Sequence, residues 1–411
     1  MNILLSAFAF SPIWGSEPGV GWNWALELAK THQVTVVTHG YFRKHVEQAD
    51  EALNGSRLEV VYVDVAPVWG EFHEQLLNSQ LYYLRWQWHL LKVARALSLR
   101  QKFDLVHHIT WGTFRYPSFL GWLGLPFVFG PLGGGEVAPM RLYQGLPAKV
   151  LVKEALRNVI VASARFDPIL RACLGKCTVI LCRTPQTLAA LPAASRGRAW
   201  VAHEIGAPTA SPPPPREARA GSTTRLLFAG RLLGWKGVHL ALRAVALSRQ
   251  RGMDVELTIV GSGPLRSYLV NLGSQLAIGN SIRFVAQVPR DQMLKMYHDA
   301  DAFLFPSLHD SGGTVVLEAL SRGLPVICLD LGGPACFVQP GTGSVISTGQ
   351  KSTEDIVRML ADAIEDYSHA ADAQRIRRVS DAIDHANAMT WEKQVGRVYQ
   401  RLASLSMGVQ G

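Results

Sequence analysis

The sequence is short of acids, short of cysteine, and has no long apolar run. Its 411 residues hold 32 Asp and Glu against 41 Lys and Arg, a formal charge of +9, and a pI near 9.4. Such an imbalance points to an anionic partner: nucleotide phosphate, lipid headgroup or nucleic acid. No apolar stretch approaches the ~20 residues that a membrane span needs. Met1-Asn2 leads straight into "ILLSAFAF", too short and too uncharged in front for a signal peptide, so a cytoplasmic chain is expected. Five cysteines, an odd count, fit a reducing compartment rather than a disulfide framework. Cys173, Cys177 and Cys182 are near one another, but no His or Cys pair follows at finger spacing, so no metal site is expected.

What is present is alternation. "NILLSAF" and "QVTVVTH" are short β-branched runs around "VGWNWALELAKTH", whose apolar residues recur at helical spacing, which makes a βαβ unit. "RLEVVYVDV", "DLVHHIT", "LPFVFGP" and "CTVILC" add strands, and a second series runs from "TRLLFAG" to "LPVICLD". Strands apolar throughout and alternating with helices predict parallel sheets covered on both faces. Between the two series lies "GAPTASPPPPREARAGSTT", with four consecutive prolines and no periodicity, an expected linker. The fold class is therefore α/β, two Rossmann-like doubly wound domains: 1–205, a linker at 206–224, and 225–389. In such sheets ligands sit beyond the carboxyl ends of the strands, so two of them would enclose a cleft.

Glycines fall where strands end. Gly15, Gly19 and Gly21 open the first helix, "GPLGGGE" follows another strand, and Gly230 begins "GRLLGWKG" in the second series. Bare amides at helix starts suit phosphate, although tight turns demand glycine equally. Arg231 and Lys236 stand five residues apart in the last of these loops, where an Arg fork and a compact ammonium together suit a diphosphate. In "HDSGGTVVLEALSRG" the helix starts at Thr314 after Gly312-Gly313 and stops at Gly323. Asp310 precedes it, and Glu318 lies roughly 7.5 Å along it at 1.5 Å per residue. Two carboxylates flanking bare amides match a ligand with a diphosphate between two polyols, the layout of a nucleotide sugar.

These segments resemble a known family. Asp310-x7-Glu318, "AGRLLGWKG", "LTIVGSGPL", "DADAFLFPS" and "EALSRGLPVI" stand in the order of the family 4 retaining glycosyltransferases of GT-B fold, and "GSEPGVGW" and "MTWEKQVGRVYQRL" are similar too. The resemblance implies a hexose transferred from a UDP- or GDP-sugar to a saccharide or lipid-linked acceptor in cell-surface polysaccharide synthesis, without metal or cofactor. It implies that Arg231 and Lys236 hold the donor diphosphate, Asp310 the sugar and Glu318 the ribose, with Gly261, Gly312, Gly313 and Thr314 beside the donor. A last helix, within 390–411, would return to the first domain. Retention would follow from front-face attack, the leaving phosphate taking the acceptor proton.

Three features depart from the family pattern. Asp310 stands where Glu is usual, "GPLGGGE" replaces a loop that often carries histidine, and "AHEIGAP" replaces the usual Asn-Gly. Glu17, His107, His108, Glu136, His203 and Glu204 are candidate acceptor or cleft residues. "DAD" at Asp299 to Asp301 is read as a helix end and strand start rather than a metal pair. Two other enzymes remain alternatives: a sugar-nucleotide epimerase of the same fold, and an NAD-dependent oxidoreductase, suggested by Gly261 and Gly263 but weakened by Arg266 at the third glycine of that fingerprint. A carbohydrate-binding protein without catalysis is a third alternative. Leu81 to Phe103, basic and tryptophan-bearing, and Ala148 to Arg165 are expected to dock on an anionic membrane, not on nucleic acid.

Overall fold

The computed structural model describes residues 1–67, 72–208 and 223–407, so most of the expected linker lies outside the described residues. Two compact units emerge: Met1–Gly135 with Ile160–Ile205 and Trp391–Gly411, and Glu136–Val159 with Gly206–Thr390.

The first unit is built on seven parallel strands: β1 (Asn2–Ala7), β2 (Gln33–His39), β3 (Leu58–Val63), β4 (Leu105–His108), β5 (Phe127–Leu132), β6 (Val179–Cys182) and β7 (Ala199–Val201). Their spatial order is β3-β2-β1-β4-β5-β6-β7. All pair in parallel. The second unit has β8 (Thr224–Ala229), β9 (Val255–Val260), β10 (Ile282–Val285), β11 (Ala302–Phe305), β12 (Val326–Leu329) and β13 (Gly343–Ile346), ordered β10-β9-β8-β11-β12-β13. Both sheets reverse direction of growth beside their first strand, at β1/β4 and at β8/β11. Each reversal opens a crevice at the carboxyl edge, because the flanking connections leave toward opposite faces. β7 and β13 are edge strands of only three and four residues, largely part-exposed, and too short to stand out in the sequence.

Residues 136–159 were expected in the first domain and pack in the second unit instead. Arg141 Nε donates to the Lys351 carbonyl at 2.6 Å, and His239 Nε2 bonds the Leu142 carbonyl at 2.8 Å. The final helix, Trp391–Met407, belongs to the first unit, where the Tyr399 hydroxyl meets His107 Nδ1 at 2.9 Å and Arg401 lies over the Trp200 ring.

The helix Gln80–Arg100 corrects half of the membrane expectation. Tyr82, Tyr83, Trp86, Leu90 and Leu91 of that helix are buried, with Trp86 edge-on to Phe8, so its apolar face belongs to the core. Trp88 is left 54% exposed. The helix Ala148–Ser163 is different: Val152, Leu156, Val159 and Ile160 are all exposed, at 42–67%. No helix among the described residues is long and apolar enough to cross a membrane.

Candidate functional site

The site in the second unit grows from two loops at the carboxyl edge. β8 ends at Ala229, and the chain passes Gly230 and exposed Arg231 into a tight turn, Gly234–Lys236, closed by Gly237 at φ +70°. A Cβ on Gly237 would stand 1.8 Å from the Pro306 carbonyl oxygen, so only glycine lets this turn lie against the loop leaving β11. The Leu308 amide donates to the Trp235 carbonyl at 2.7 Å, and the Ser307 hydroxyl donates to it at 3.2 Å. The stitched loops bring Lys236 Nζ onto Asp310 Oδ2 as an ion pair. The ammonium also lies 4.3 Å from the Trp235 ring centroid and 4.9 Å from that of Phe305. Both side chains are mostly buried, so removing either partner strands a charge, a loss of about 3–5 kcal/mol.

Asp310 sits at the start of the helix Thr314–Ser321. Gly313, at φ +83°, is its N-cap, and no side chain caps the first turn. Gly312 N donates to Asp310 Oδ1 at 3.4 Å, and Gly333 N to the Asp310 carbonyl at 2.7 Å. The Gly312 amide is thus turned to the Asp310 carboxylate, while the Gly313 and Thr314 amides carry the positive end of the helix dipole with no side-chain cap on the first turn. One turn on, Glu318 accepts a 3.2 Å bond from the fully buried Tyr297 hydroxyl. Burial raises its carboxyl above the ordinary range, opposed by the Tyr297 bond and by Arg290.

Several candidates are placed elsewhere. Gly15 is an open helix N-cap, but Gly19 and Gly21 lie inside the helix Ser16–Ala29. A Cβ on Gly21 would be 2.5 Å from the Ala9 carbonyl, so this glycine serves helix packing rather than a ligand. Gly230 and Gly261 face one another: a Cβ on Gly261 would be 2.0 Å from the Gly230 carbonyl oxygen. Gly263 is likewise pressed on the Leu232 backbone, so both glycines of "VGSGPL" serve close backbone packing. His107 and His108 are fully buried in β4 and face no crevice. His107 bonds the Gly130 carbonyl and Tyr399, and His108 bonds Ser6 and Tyr83. Glu136 is fully buried in the second unit, not at the first unit's edge. Glu204 is ion-paired with Arg183 at 2.5 Å, and Glu17 lies 3.5 Å from the same guanidinium. His203 Nδ1 lies 3.2 Å from the Arg183 carbonyl. Asp301 accepts from the Arg225 amide at 2.8 Å, a strand-start role, and no cluster able to hold a metal occurs among the described residues.

Burial lowers His107 to about 4 and His108 to about 3, the latter also feeling His107. Unfolded imidazoles take up protons below pH 6.5 and the folded ones only near those values. Stability is therefore present above 6.5 and is lost as pH falls through this window, by about 1.4 kcal/mol per pH unit for each ring. Tm measured from pH 7.5 to 5 should fall, and more shallowly in His107→Asn. A level Tm would exclude this linkage.

Sequence reasoning missed His309, Glu154 and Trp235. His309 stacks on Trp235 at 4.9 Å, and its Nε2 meets Glu154 Oε2 at 2.8 Å. His309 adjoins Asp310 and was visible as a neighbour. Glu154, 155 positions away, carried no signal.

Residues 214–378 match the family described as glycosyl transferases, group 1. The chain is 31% identical over 188 residues to a D-inositol 3-phosphate glycosyltransferase of Corynebacterium urealyticum, covering 43% of each protein. It is 31% identical over 169 residues to a glycogen synthase of Mycobacterium tuberculosis, covering 40% of each. The matched part thus spans about two fifths of the length of these curated relatives. Among solved structures, the apo form of the lipopolysaccharide outer core galactosyltransferase WaaB superposes with TM-score 0.64 at 14% identity, over 98% of this chain and 99% of that one. Anabaena Alr3699/HepE in complex with UDP superposes with TM-score 0.58 at 15% identity, over 98% and 99%. At such identities the structures establish the shared two-sheet fold.

Proposed function

We propose that this chain, whose residues 214–378 match the group 1 glycosyltransferases, is a member of that family and transfers a hexose from a nucleoside-diphosphate sugar to a saccharide or lipid-linked acceptor with retention. The observation that carries the reading is the Lys236–Asp310 pair beside an uncapped helix start, inside the matched residues. In this reading the donor diphosphate lies on the amides of Gly312, Gly313 and Thr314, with Arg231 and Lys236 neutralising the charge that grows as the anomeric C–O bond breaks. Asp310 takes sugar hydroxyls and Glu318 the ribose. The developing oxocarbenium is attacked by the acceptor hydroxyl on the face the diphosphate leaves, and its proton passes to the departing phosphate. UDP, present in the HepE complex, is the first nucleotide to try.

The test is UDP release from UDP-glucose and UDP-galactose, and GDP release from GDP-mannose, with proton NMR of the product anomer. An inverted anomer would reject the mechanism, and a new free nucleotide sugar without acceptor would favour the epimerase alternative. NAD binding would favour the oxidoreductase.

Membrane docking is proposed for the helix Ala148–Ser163, where Val152, Leu156 and Val159 are exposed beside exposed Lys149 and Lys153. Co-sedimentation with vesicles containing anionic lipid is expected at low salt. It should weaken as salt shortens the Debye length from ~30 Å at 0.01 M to ~8 Å at 0.15 M. The triple serine variant at 152, 156 and 159 should lose binding. Binding unchanged in that variant would move the surface elsewhere.

A further inference from the structure

Two neighbouring cavities in the first unit take no part in the proposed donor site. One, about 510 Å³, is lined by Trp14, Glu17, Glu74 and Trp111 among others. The other, about 610 Å³, is lined by Tyr41, Arg43, Asp64 and Phe72 among others. Both lie at the carboxyl edge of the sheet, where β1, β2, β3 and β4 deliver Phe8, Gly40, Asp64 and Trp111. Each volume is within the ~300–1,000 Å³ typical of small-molecule sites.

An aromatic row joins the two. Trp14 and Tyr41 have ring centroids 5.8 Å apart, and Tyr41 and Phe72 are again 5.8 Å apart. Phe72 stacks on His39 at 5.5 Å. Trp111 is backed on one side by Tyr83, stacked at 4.6 Å and 11°. Trp111 and Ser16, at the rim of the first cavity, are both non-glycine residues with left-handed backbone, φ +55° and +57°. Such conformations persist where the surrounding structure holds a site in place.

We infer that this row is a two-ring saccharide subsite, so that the acceptor presents two consecutive pyranose rings, one to each cavity. The inference rests on reading the protein as a glycosyltransferase. Aromatic faces receive the C–H faces of a pyranose, while its hydroxyls, directed outward from the ring edge, need charged or polar partners. Both kinds of group are present: Glu17 and Glu74 edge the first cavity, and Asp64 and Arg43 the second. An alkyl chain in the same place would desolvate those ionised groups without replacing their hydrogen bonds, which disfavours a lipid tail as occupant.

The test titrates the full chain with methyl α- and β-glycosides of glucose, galactose and mannose, and with the corresponding disaccharides, by saturation-transfer NMR and calorimetry. At least one disaccharide should bind about tenfold more tightly than its monosaccharide, the scale of one further aromatic stack. Tyr41→Ala/Phe72→Ala should bring that disaccharide to the monosaccharide level, leaving UDP affinity unchanged, and Tyr41→Phe should keep the preference. Equal affinities for one and two rings, absence of saccharide binding, a preference that survives the double alanine variant, or displacement of sugar by a decyl chain would each overturn the inference. UDP titration of the same samples separates the two failures: lost UDP binding counts against the donor reading, and lost ring preference with UDP bound counts against this subsite alone.

Discussion

Lys236→Met is expected to lower turnover by about 10²–10³-fold, the scale of one lost electrostatic donor in a dry site. Lys236 is 9% exposed, lies over two aromatic rings and is ion-paired with Asp310, so its charge sits in surroundings that screen it poorly. The same burial complicates a single substitution, because methionine leaves the Asp310 carboxylate without its counter-ion. Lys236→Met/Asp310→Asn removes both charges and should recover most of the lost Tm without recovering turnover. Arg231 gives the complementary measurement. It is exposed, and no ion pair engages it among the described residues, so Arg231→Ala should leave Tm unchanged while slowing transfer. Single-turnover release of nucleoside diphosphate reads both. Near-normal turnover in Arg231→Ala and in the charge-free double variant would place the phosphates elsewhere.

The two sheets were legible because their inner strands are continuous apolar runs. β1, β4, β5, β6, β11 and β12 are buried almost throughout, and "NILLSA" or "AFLF" can be read as little else. Edge strands β7 and β13 escaped because three and four residues are too few to stand out from the surrounding loops. The helix carrying Glu318 was legible down to its ends, since glycines at 313 and 323 both adopt positive φ and punctuate it. Where reading failed, contacts were long-range. The attachment of residues 136–159 to the second unit depends on hydrogen bonds across about a hundred positions or more, which no local spacing encodes. The glycines of the phosphate expectation divide for a similar reason: from sequence a glycine that admits a ligand and a glycine that admits another backbone are identical. Gly312 and Gly313 stand before an uncapped helix start, whereas Gly21 and Gly261 are pressed against carbonyl oxygens. Histidines 107 and 108 misled because a histidine at the end of a strand reads as a cleft candidate, while the Ser6, Tyr83 and Tyr399 that bury and satisfy them come from three distant segments.

The carboxylates flanking the helix start should separate cleanly. Glu318 is an acid held at a cost: burial raises its carboxyl, which means the fold favours its protonated form. A group raised in this way contributes stability only below its unfolded pKa and loses it as pH rises through the folded one. At pH 7 Glu318→Gln should therefore raise Tm, since a neutral amide keeps the shape and still accepts from Tyr297. The same substitution should weaken free UDP by about ten- to hundredfold, the range of a charge-assisted hydrogen bond at roughly 1.5–3 kcal/mol. In the unaltered protein UDP affinity should decline as pH falls through the raised carboxyl pKa, earlier than an ordinary carboxylate would allow, and this decline should vanish in Glu318→Gln. Asp310 is a different case. Its carboxylate is ion-paired with the mostly buried Lys236, so Asp310→Asn should strand that charge and lower Tm, leave free UDP affinity within about twofold, and fall mainly on kcat with a sugar-bearing donor. Calorimetric titration with UDP and with UDP-glucose, alongside Tm for both variants, decides the matter. A lower Tm in Glu318→Gln, or equal loss of UDP affinity in the two variants, would remove the assignment of ribose to Glu318 and sugar to Asp310.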